Sequence, residues 1–303
     1  MNSQQAIDLF LEYLRIEKNA SAYTVDSYQS DLQQFCEFLE KEGIQSLQQV
    51  THVIIRTFLS QLHYAKAARK TIARKVSCLR SFYRFLMREG IVDHNPAKSV
   101  STPKLEKRTP KFLYIEEAKR LVEAPSLSDP LGIRDRAILE TLYATGIRVS
   151  ECMGLSVGDV DLSLGTARVF GKGARERIVL LGQQACDAIR MYLEKSRPQL
   201  LAEADTQTSG ETDALFLNYR GQPLNVRSVR RIVDKYVNQL AVQYQISPHA
   251  LRHTFATHML DEGADLRVIQ ELLGHVSLSS TQVYTHTTKE KLLRVYMNAH
   301  PRA

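Results

Sequence analysis

Cysteine is scarce in this sequence, and no two cysteines stand at a spacing typical of a metal or redox site. The 303 residues contain Cys36, Cys78, Cys152 and Cys186, and no C-x-x-C pair. A disulfide framework is therefore not expected. We predict that the four cysteines are reduced thiols, as in most cytoplasmic proteins.

Targeting and membrane-spanning segments are also missing. The first residues contain no basic run followed by an apolar stretch, so no signal peptide is predicted. No segment approaches the ~20 consecutive apolar residues that a membrane-crossing helix needs. The sequence therefore predicts a cytoplasmic protein that does not use a membrane as a partner.

Two motifs of metal-dependent and nucleotide-dependent enzymes are incomplete. His249 and His253 have the spacing of a zinc-protease helix, but Ala250 stands where H-E-x-x-H requires Glu. Lys172 lies between two glycines, without the Ser or Thr that follows the lysine of a phosphate-binding P-loop. We predict no metal and no cofactor, and we expect His253 and His258 to pack or hydrogen-bond locally.

Positive charge is the property that the chain has in excess. The net charge is +7, which favours a polyanionic partner, although a basic protein without nucleic acid is the alternative. The length allows about two domains of ~150 residues. A hydrophobic fraction of 44% is sufficient for ordinary cores.

The hydrophobic periodicity predicts a mainly α fold with a small β-sheet, in two domains. Residues 1–100 are predicted to form a helical N-terminal domain and residues 112–303 a second, α+β domain. Residues 101–111 form the predicted linker, in which two prolines bracket a charged stretch poor in apolar residues. The predicted strands are 166–170 and 177–181, with a further short strand at 215–218.

One predicted N-terminal helix, residues 66–88, is basic on one side and contains no Asp or Glu. With about 100° of rotation per residue, its basic side chains lie opposite Ile72, Val76 and Leu79. A one-sided cationic helix is typical of DNA binding, and a simple solvated face is the alternative. The predicted DNA-binding residues are Lys66, Lys70, Arg74, Arg80, Arg84 and Arg88.

The second domain contains a phosphate-binding pattern at a predicted helix start. Ser247 can cap this helix and Pro248 suits its first position. His249 and Arg252 then lie in the first turn, where the positive end of the helix favours an anion. Taken alone, a surface arginine and a helix-start histidine explain the pattern equally well.

The other candidate residues are spread along the second domain. Arg148 has Glu151 three positions later, which indicates either a positioned clamp or a structural ion pair. His275 follows the predicted helix stop Gly274. Tyr284 lies in the next predicted helix. A phenol with a pKa near ~10 is a poor nucleophile alone, but cations around it would favour attack on a phosphodiester.

In order along the chain, these pieces resemble the tyrosine site-specific recombinase (phage-integrase) family, and within it the Xer branch. The resemblance covers nearly the whole chain. It is carried by residues 144–151 (ATGIRVSE), 170–173 (FGKG), 248–253 (PHALRH) and 272–275 (LLGH), followed by Tyr284.

The resemblance implies a role for each catalytic residue. Tyr284 is implied to be the nucleophile that forms a 3′-phosphotyrosyl bond. Arg148 and Arg252 are implied to clamp the non-bridging phosphate oxygens, and Lys172 to protonate the leaving 5′-oxygen. The implied accessory acid–base and phosphate-binding residues are His249 and His275.

The resemblance also implies an assembly. Two domains form a C-shaped clamp around double-stranded DNA at a specific recombination site, and a tetramer with a paired recombinase, or of identical chains, exchanges strands. The tail, 289–298, is implied to dock into a neighbouring subunit, although it could close its own domain instead. The implied task is resolution of chromosome dimers at cell division, together with a DNA translocase. The alternatives are a type IB-like topoisomerase, a mobile-element integrase and a non-catalytic DNA-binding protein.

Overall fold

The computed structural model describes residues 2–18, 20–103, 112–171, 176–203, 212–240, 246–274 and 286–303, with 286–291 as backbone only. It divides into two compact units, Met1–Arg108 and Thr109–Ala303, and each is described by itself. Most of the predicted linker lies outside the described residues. The domain limits 1–100, 101–111 and 112–303 therefore stay predictions.

The described part of unit 1 is helical. Its helices are α1 (Ser3–Ile16), α2 (Ala22–Lys41), α3 (His52–Tyr64) and α4 (Arg69–Arg88). Ser21 caps α2 and Thr51 caps α3, because each side chain accepts a hydrogen bond from a backbone N–H of the first turn. The buried faces meet in an aromatic core in which Phe10 contacts Phe82 edge-on and Phe35 contacts Phe58 edge-on.

The start of α4 corrects the predicted helix 66–88. Lys66 has a φ of 57° and lies in the turn between α3 and α4. The backbone N–H of Ala67 donates to the carbonyl of Leu62, which closes the end of α3 and prevents a continuous helix from 66 onward. Lys66 is therefore not part of the basic helix face on which the sequence placed it.

Unit 2 is mainly helical around a small sheet, as predicted. Its longer helices are α5 (Ile115–Glu123), α6 (Pro130–Thr145), α8 (Gln183–Met191), α10 (Val226–Gln239), α11 (Pro248–Asp261), α12 (Leu266–Leu273) and α13 (His286–Ala299). Two short helices, α7 (Val149–Met153) and α9 (Arg197–Ala202), complete the set in the described residues, and a π-helical turn at Tyr192–Ser196 joins α8 to α9.

Helix α6 is the centre of unit 2. Nearly every residue from Gly132 to Thr145 is buried. The polar ones have partners inside the unit, for example Arg134 with Asp135. The helix ends at Gly146, whose φ of 58° is left-handed.

The sheet is antiparallel, in the order β1 (Val160–Asp161), β2 (Thr166–Phe170), β3 (Glu176–Leu180). In its register Arg168 lies opposite Ile178 and Phe170 opposite Glu176. The prediction of a strand at 215–218 was wrong: this segment makes a single isolated bridge, between Leu217 and Pro223. Its backbone groups bond instead to neighbouring loops, since Leu215 donates to the carbonyl of Leu155.

No helix among the described residues combines the length and the apolar character that crossing a membrane would require.

Candidate active site

Arg148 stands at the junction of α6 and α7, two residues after the left-handed Gly146. It is the residue that precedes α7, and its backbone N–H donates to Oε2 of Glu151 at 2.8 Å. One guanidinium nitrogen, NH1, donates to Oε1 of the same carboxylate at 2.9 Å. The side chain is 48% exposed, so its remaining N–H groups can reach a ligand.

Glu151 is the buried anchor of this arrangement. Besides the two bonds from Arg148, it accepts two from Arg177 of β3, at 3.1 Å from NH1 and 2.9 Å from NH2. Burial alone would raise the pKa of Glu151, but the hydrogen bonds from Arg177 and Arg148 bring the pKa below its usual value. The carboxylate is therefore ionised at neutral pH.

Arg252 of α11 lies beside this pair and is buried. Its NH1 donates to the carbonyl of Gly146 and its NH2 to the carbonyl of Leu273, both at 2.7 Å. These two carbonyls lie at the C-terminal ends of α6 and α12. The Arg252 guanidinium therefore links the chain segments that lead to Arg148 and to His275. Arg252 thus connects three parts of the sequence in one place.

The site is strongly positive. Burial, and next the neighbouring charge of Arg148, lower the pKa of Arg252 to about 10. At this value Arg252 remains protonated at neutral pH. Three guanidinium groups then face a single carboxylate, which leaves a net positive charge suited to a phosphodiester.

Helix α11 begins as the sequence predicts. The Ser247 side chain accepts from the backbone N–H of Ala250, and Pro248 is the first helical residue. His249 is exposed in the first turn, on the same helix as Arg252. The structure therefore places His249 at a helix end whose partial positive charge favours an anion.

Three of the predicted catalytic residues lie outside the described residues: Lys172, His275 and Tyr284. Their neighbours in the sequence are described. Gly171 ends the described part of the chain after β2, and Gly274 has a left-handed φ of 67° at the end of α12, as predicted. The catalytic assignments of all six residues stay predictions.

The other histidines of α11 have structural roles, as predicted. His258 is buried, with Nδ1 2.8 Å from the Tyr143 hydroxyl and Nε2 2.8 Å from the Leu113 carbonyl. His253 packs edge-on against Phe112. Within the described residues, no group of His, Cys, Asp and Glu could hold a metal ion. The expectation of a metal-free enzyme stays a prediction.

The predicted DNA-binding residues of unit 1 fall into two groups. Arg74 pairs with buried Asp31, Arg80 donates to the carbonyls of Ala97 and Val100, and Arg88 pairs with Glu17 and Glu89. These contacts give the three arginines structural roles within unit 1. The members that are exposed and have no ion pair in the described part of the chain are Lys66, Lys70 and Arg84.

Two features of unit 2 were missed by the sequence analysis. Arg177 was treated only as the first residue of a strand, and no pattern indicated its bond to Glu151. The charges of α10 were not considered either. Arg227, Arg230 and Arg231 are exposed, opposite buried Val229 and Val233. Their i, i+3, i+4 spacing is a signal that could have found this basic face.

The tail packs against its own unit in this single chain. Tyr296, Ala299, His300 and Arg302 are buried, whereas Leu293 is exposed. Docking of the tail into a neighbouring subunit stays a prediction.

Comparison with known proteins gives matches along the whole chain. Residues 111–291 match the model of the phage integrase family, and residues 7–90 match the phage integrase N-terminal SAM-like domain. The chain is 53% identical to the tyrosine recombinase XerC of Pelotomaculum thermopropionicum over 98% of both chains. It is 47% identical to XerC of Bacillus subtilis, covering 100% of this chain and 98% of the relative.

Solved structures share the fold. The XerH recombinase bound to its difH substrate matches with a TM-score of 0.66 and 22% identity, over 98% of this chain and 82% of the other. A lambda integrase dimer bound to a core site matches with a TM-score of 0.65 and 17% identity, over 94% of this chain and 100% of the other. Within the Xer branch the resemblance leans to XerC over XerD, which the named relatives confirm.

Proposed function

Because the chain belongs to the phage integrase family and is a XerC-like tyrosine recombinase that acts on specific DNA sites, we propose that Arg148, Arg252 and His249 form its phosphate-binding centre. The observation that carries this proposal is the meeting of Arg148 and Arg252 from distant parts of the sequence. One of them is half-exposed, and the other is buried and still charged.

The proposed chemistry follows from these charges. In the transition state of phosphoryl transfer, negative charge develops on the non-bridging oxygens of the scissile phosphate. The free N–H groups of Arg148 can bind those oxygens through a planar fork that lysine lacks. His249, at the positive end of α11, adds a donor next to the same anion.

The proposed bond changes involve residues outside the described part of the chain. The Tyr284 hydroxyl loses its proton to the accessory acid–base pair, His249 and His275, as its oxygen attacks the phosphorus. A phosphotyrosyl bond forms, and the bond from phosphorus to the 5′-oxygen breaks. Lys172 supplies the proton to that leaving oxygen, and His275 binds the phosphate. Since one phosphoester replaces another, a 5′-hydroxyl can reverse the reaction and rejoin the strand without a nucleotide cofactor.

We assign duplex binding to two exposed basic faces. On unit 2 this face consists of Arg227, Arg230 and Arg231 of α10, which form no ion pair within the described residues. On unit 1 it consists of Lys70 and Arg84 of α4, with Lys66 in the turn that precedes the helix. These are the members of the predicted set that have no ion pair in the part of the chain that the structure describes. Side chains of this kind bind backbone phosphates and make affinity dependent on salt.

The proposed cellular role is the resolution of chromosome dimers, in the cytoplasm, by a tetramer formed with a paired recombinase and assisted by a DNA translocase. The names of the relatives support this role, and two structural neighbours are a XerH recombinase bound to its difH substrate and a lambda integrase dimer bound to a core site. Docking of the tail into a neighbouring subunit belongs to the same proposal.

The test is covalent trapping on a nicked suicide duplex that contains the recombination site. Wild-type protein is expected to form a protein–DNA adduct, and Tyr284→Phe is expected to form none while binding DNA within a few fold of wild type. An adduct formed by Tyr284→Phe would show that another residue is the nucleophile. Relaxation of supercoils without strand exchange would instead indicate a topoisomerase.

A further inference from the structure

We propose that Arg177 is a positioning residue for DNA cleavage, which keeps Arg148 available to the scissile phosphate by occupying Glu151. This inference rests on the proposed function, because it assumes that Arg148 binds the phosphate. Arg177 itself has no proposed contact with DNA. It lies on β3, and its side chain is only 9% exposed.

Four donors saturate the Glu151 carboxylate. Oε1 accepts from Arg148 NH1 at 2.9 Å and from Arg177 NH1 at 3.1 Å. Oε2 accepts from the backbone N–H of Arg148 at 2.8 Å and from Arg177 NH2 at 2.9 Å. A carboxylate offers about four lone-pair sites, so Glu151 has none left for a second bond from the Arg148 side chain.

This saturation determines what Arg148 can do. With Arg177 in place, the Arg148 side chain is held by a single nitrogen, and its other N–H groups have no partner within the described residues. Without Arg177, two acceptor sites of a buried anion would be empty. The half-exposed Arg148 would then be drawn into a two-bond pair with Glu151, which is the preferred geometry of Arg with carboxylate, and away from the phosphate.

Arg177 also touches the segment that leads to His275. A Cβ atom on Gly274 would lie 2.9 Å from Nε of Arg177 and 3.0 Å from its Cζ. The left-handed turn at the end of α12 therefore packs directly against the Arg177 guanidinium. Arg177 also follows the β2–β3 connection that contains Lys172. It is therefore close in space to the segments of Arg148 and His275, and close in sequence to Lys172.

The experiment measures adduct formation on the nicked duplex, DNA affinity and the thermal midpoint. It compares Arg177→Met, Glu151→Gln and the double variant Arg177→Met/Glu151→Gln with wild type. Arg168→Met is the control, because Arg168 lies on the neighbouring strand and also makes a two-bond ion pair, in which Nε and NH2 donate to Oδ1 of Asp159 at 3.1 and 2.9 Å. Tyr284→Phe reports on the proposed function separately.

We expect Arg177→Met to slow adduct formation by on the order of 10- to 100-fold, as for a misplaced catalytic group, with DNA affinity within a few fold. The double variant should react faster than Arg177→Met, because the neutral amide that replaces the Glu151 carboxylate no longer attracts Arg148. Arg168→Met should react like wild type. If Arg177→Met reacts like wild type, or the double variant is no faster than Arg177→Met, the positioning role is wrong.

Folding defects are separated by a second substitution. If Arg177→Met lowers the thermal midpoint so far that cleavage cannot be measured, Arg177→Lys retains the charge and occupies one oxygen of Glu151. It should cleave at a rate between wild type and Arg148→Ala, and a rate no higher than that of Arg148→Ala would contradict the proposal. An adduct with Tyr284→Phe, or none with wild type, would count against the proposed function and not against Arg177.

Discussion

Arg302 and Glu140 form a forked ion pair inside unit 2, although one lies next to the C-terminal residue and the other in the central helix α6. Nε of Arg302 is 2.9 Å from Oε2 of Glu140, and NH2 is 2.6 Å from Oε1. Both side chains are buried, and NH1 of Arg302 reaches Glu123 at 2.7 Å. The end of the chain is thereby fixed to the helix around which the unit is built.

Arg302→Ala should therefore destabilise the protein. Removing one partner of a buried pair leaves an uncompensated charge and typically costs about 3–5 kcal/mol. Arg136, 3.1 Å from Glu140, will retain part of the compensation, so we expect the lower end of that range. Urea denaturation followed by circular dichroism measures the loss.

The matched control is Arg190→Ala. Arg190 forms an exposed pair with Asp187 at 2.6 Å, and exposed pairs contribute about 0–1 kcal/mol. Equal losses for the two variants would mean that the Arg302 pair is not buried in solution.

Arg148 and Arg252 are expected to differ when each is replaced by Ala. In both variants the rate of adduct formation should fall by on the order of 10²–10³-fold, as for loss of an oxyanion donor. Only Arg252→Ala should also lose about 1–3 kcal/mol of stability, because the carbonyls of Gly146 and Leu273 lose their donors. Parallel cleavage and denaturation measurements test this, and an unstable Arg148→Ala variant would contradict it.

Gly146 is predicted to tolerate no side chain. Its φ is 58°, and a Cβ would lie 2.5 Å from Cδ1 of Phe255 in the core. Gly146→Ala should combine the cost of left-handed backbone, about 1 kcal/mol, with about 1–3 kcal/mol of overpacking. Gly43→Ala is the control, because Gly43 has a φ of 72° and nothing within 4 Å of a Cβ. Similar losses for both would rule out the packing contribution.

Local patterns predicted the helices well, because caps and stops act over a few residues. Ser247 and Gly274 stand where the sequence placed them, as a cap and as a helix end. The burial of α6 on all sides was not predictable in this way. A helix surrounded by other helices differs from an amphipathic one only through its tertiary neighbours.

The partner of a charged side chain is likewise a tertiary property. The periodicity placed Arg74, Arg80 and Arg88 on one basic face, but Asp31 and the carbonyl of Ala97 come from other segments. The same limit hid Arg177, whose partner Glu151 lies on a different element. Ordered motifs found the family, whereas the contacts that position its residues required coordinates.

The basic residues of α4 allow a direct test of this distinction. Arg84 is exposed, so Arg84→Ala should weaken DNA binding and reduce the salt slope by about one, without loss of stability. Arg80 is engaged with the carbonyls of Ala97 and Val100, so Arg80→Ala should lower stability by about 1–3 kcal/mol. Fluorescence anisotropy at several salt concentrations measures the slope. An unchanged slope for Arg84→Ala would remove Arg84 from the DNA interface.

The stability of unit 2 should depend on pH through His300. Burial, together with the neighbouring His258 and Arg302, lowers the pKa of His300 to about 3, although a bond to the Tyr143 carbonyl acts in the opposite direction. In the folded protein, Nδ1 of His300 accepts a hydrogen bond from the backbone N–H of Arg302 at 3.1 Å. An accepting Nδ1 carries no proton, so the imidazole ring must be neutral. The unfolded chain has an ordinary histidine with a pKa of about 6.5.

As the pH falls below ~6.5, the unfolded state therefore binds a proton that the folded state does not, and stability falls until the pH approaches the folded pKa of about 3. Between pH 7.5 and 5.5 this one group should cost about 1 kcal/mol. His300→Gln removes the titration and retains a donor for the Tyr143 carbonyl, so its loss of stability over the same interval should be smaller by that amount. Urea denaturation of both proteins at the two pH values measures this difference. The contribution of His258 is present in both proteins, so it cancels when their losses of stability are compared. Identical losses would mean that His300 is accessible to protons in the folded protein.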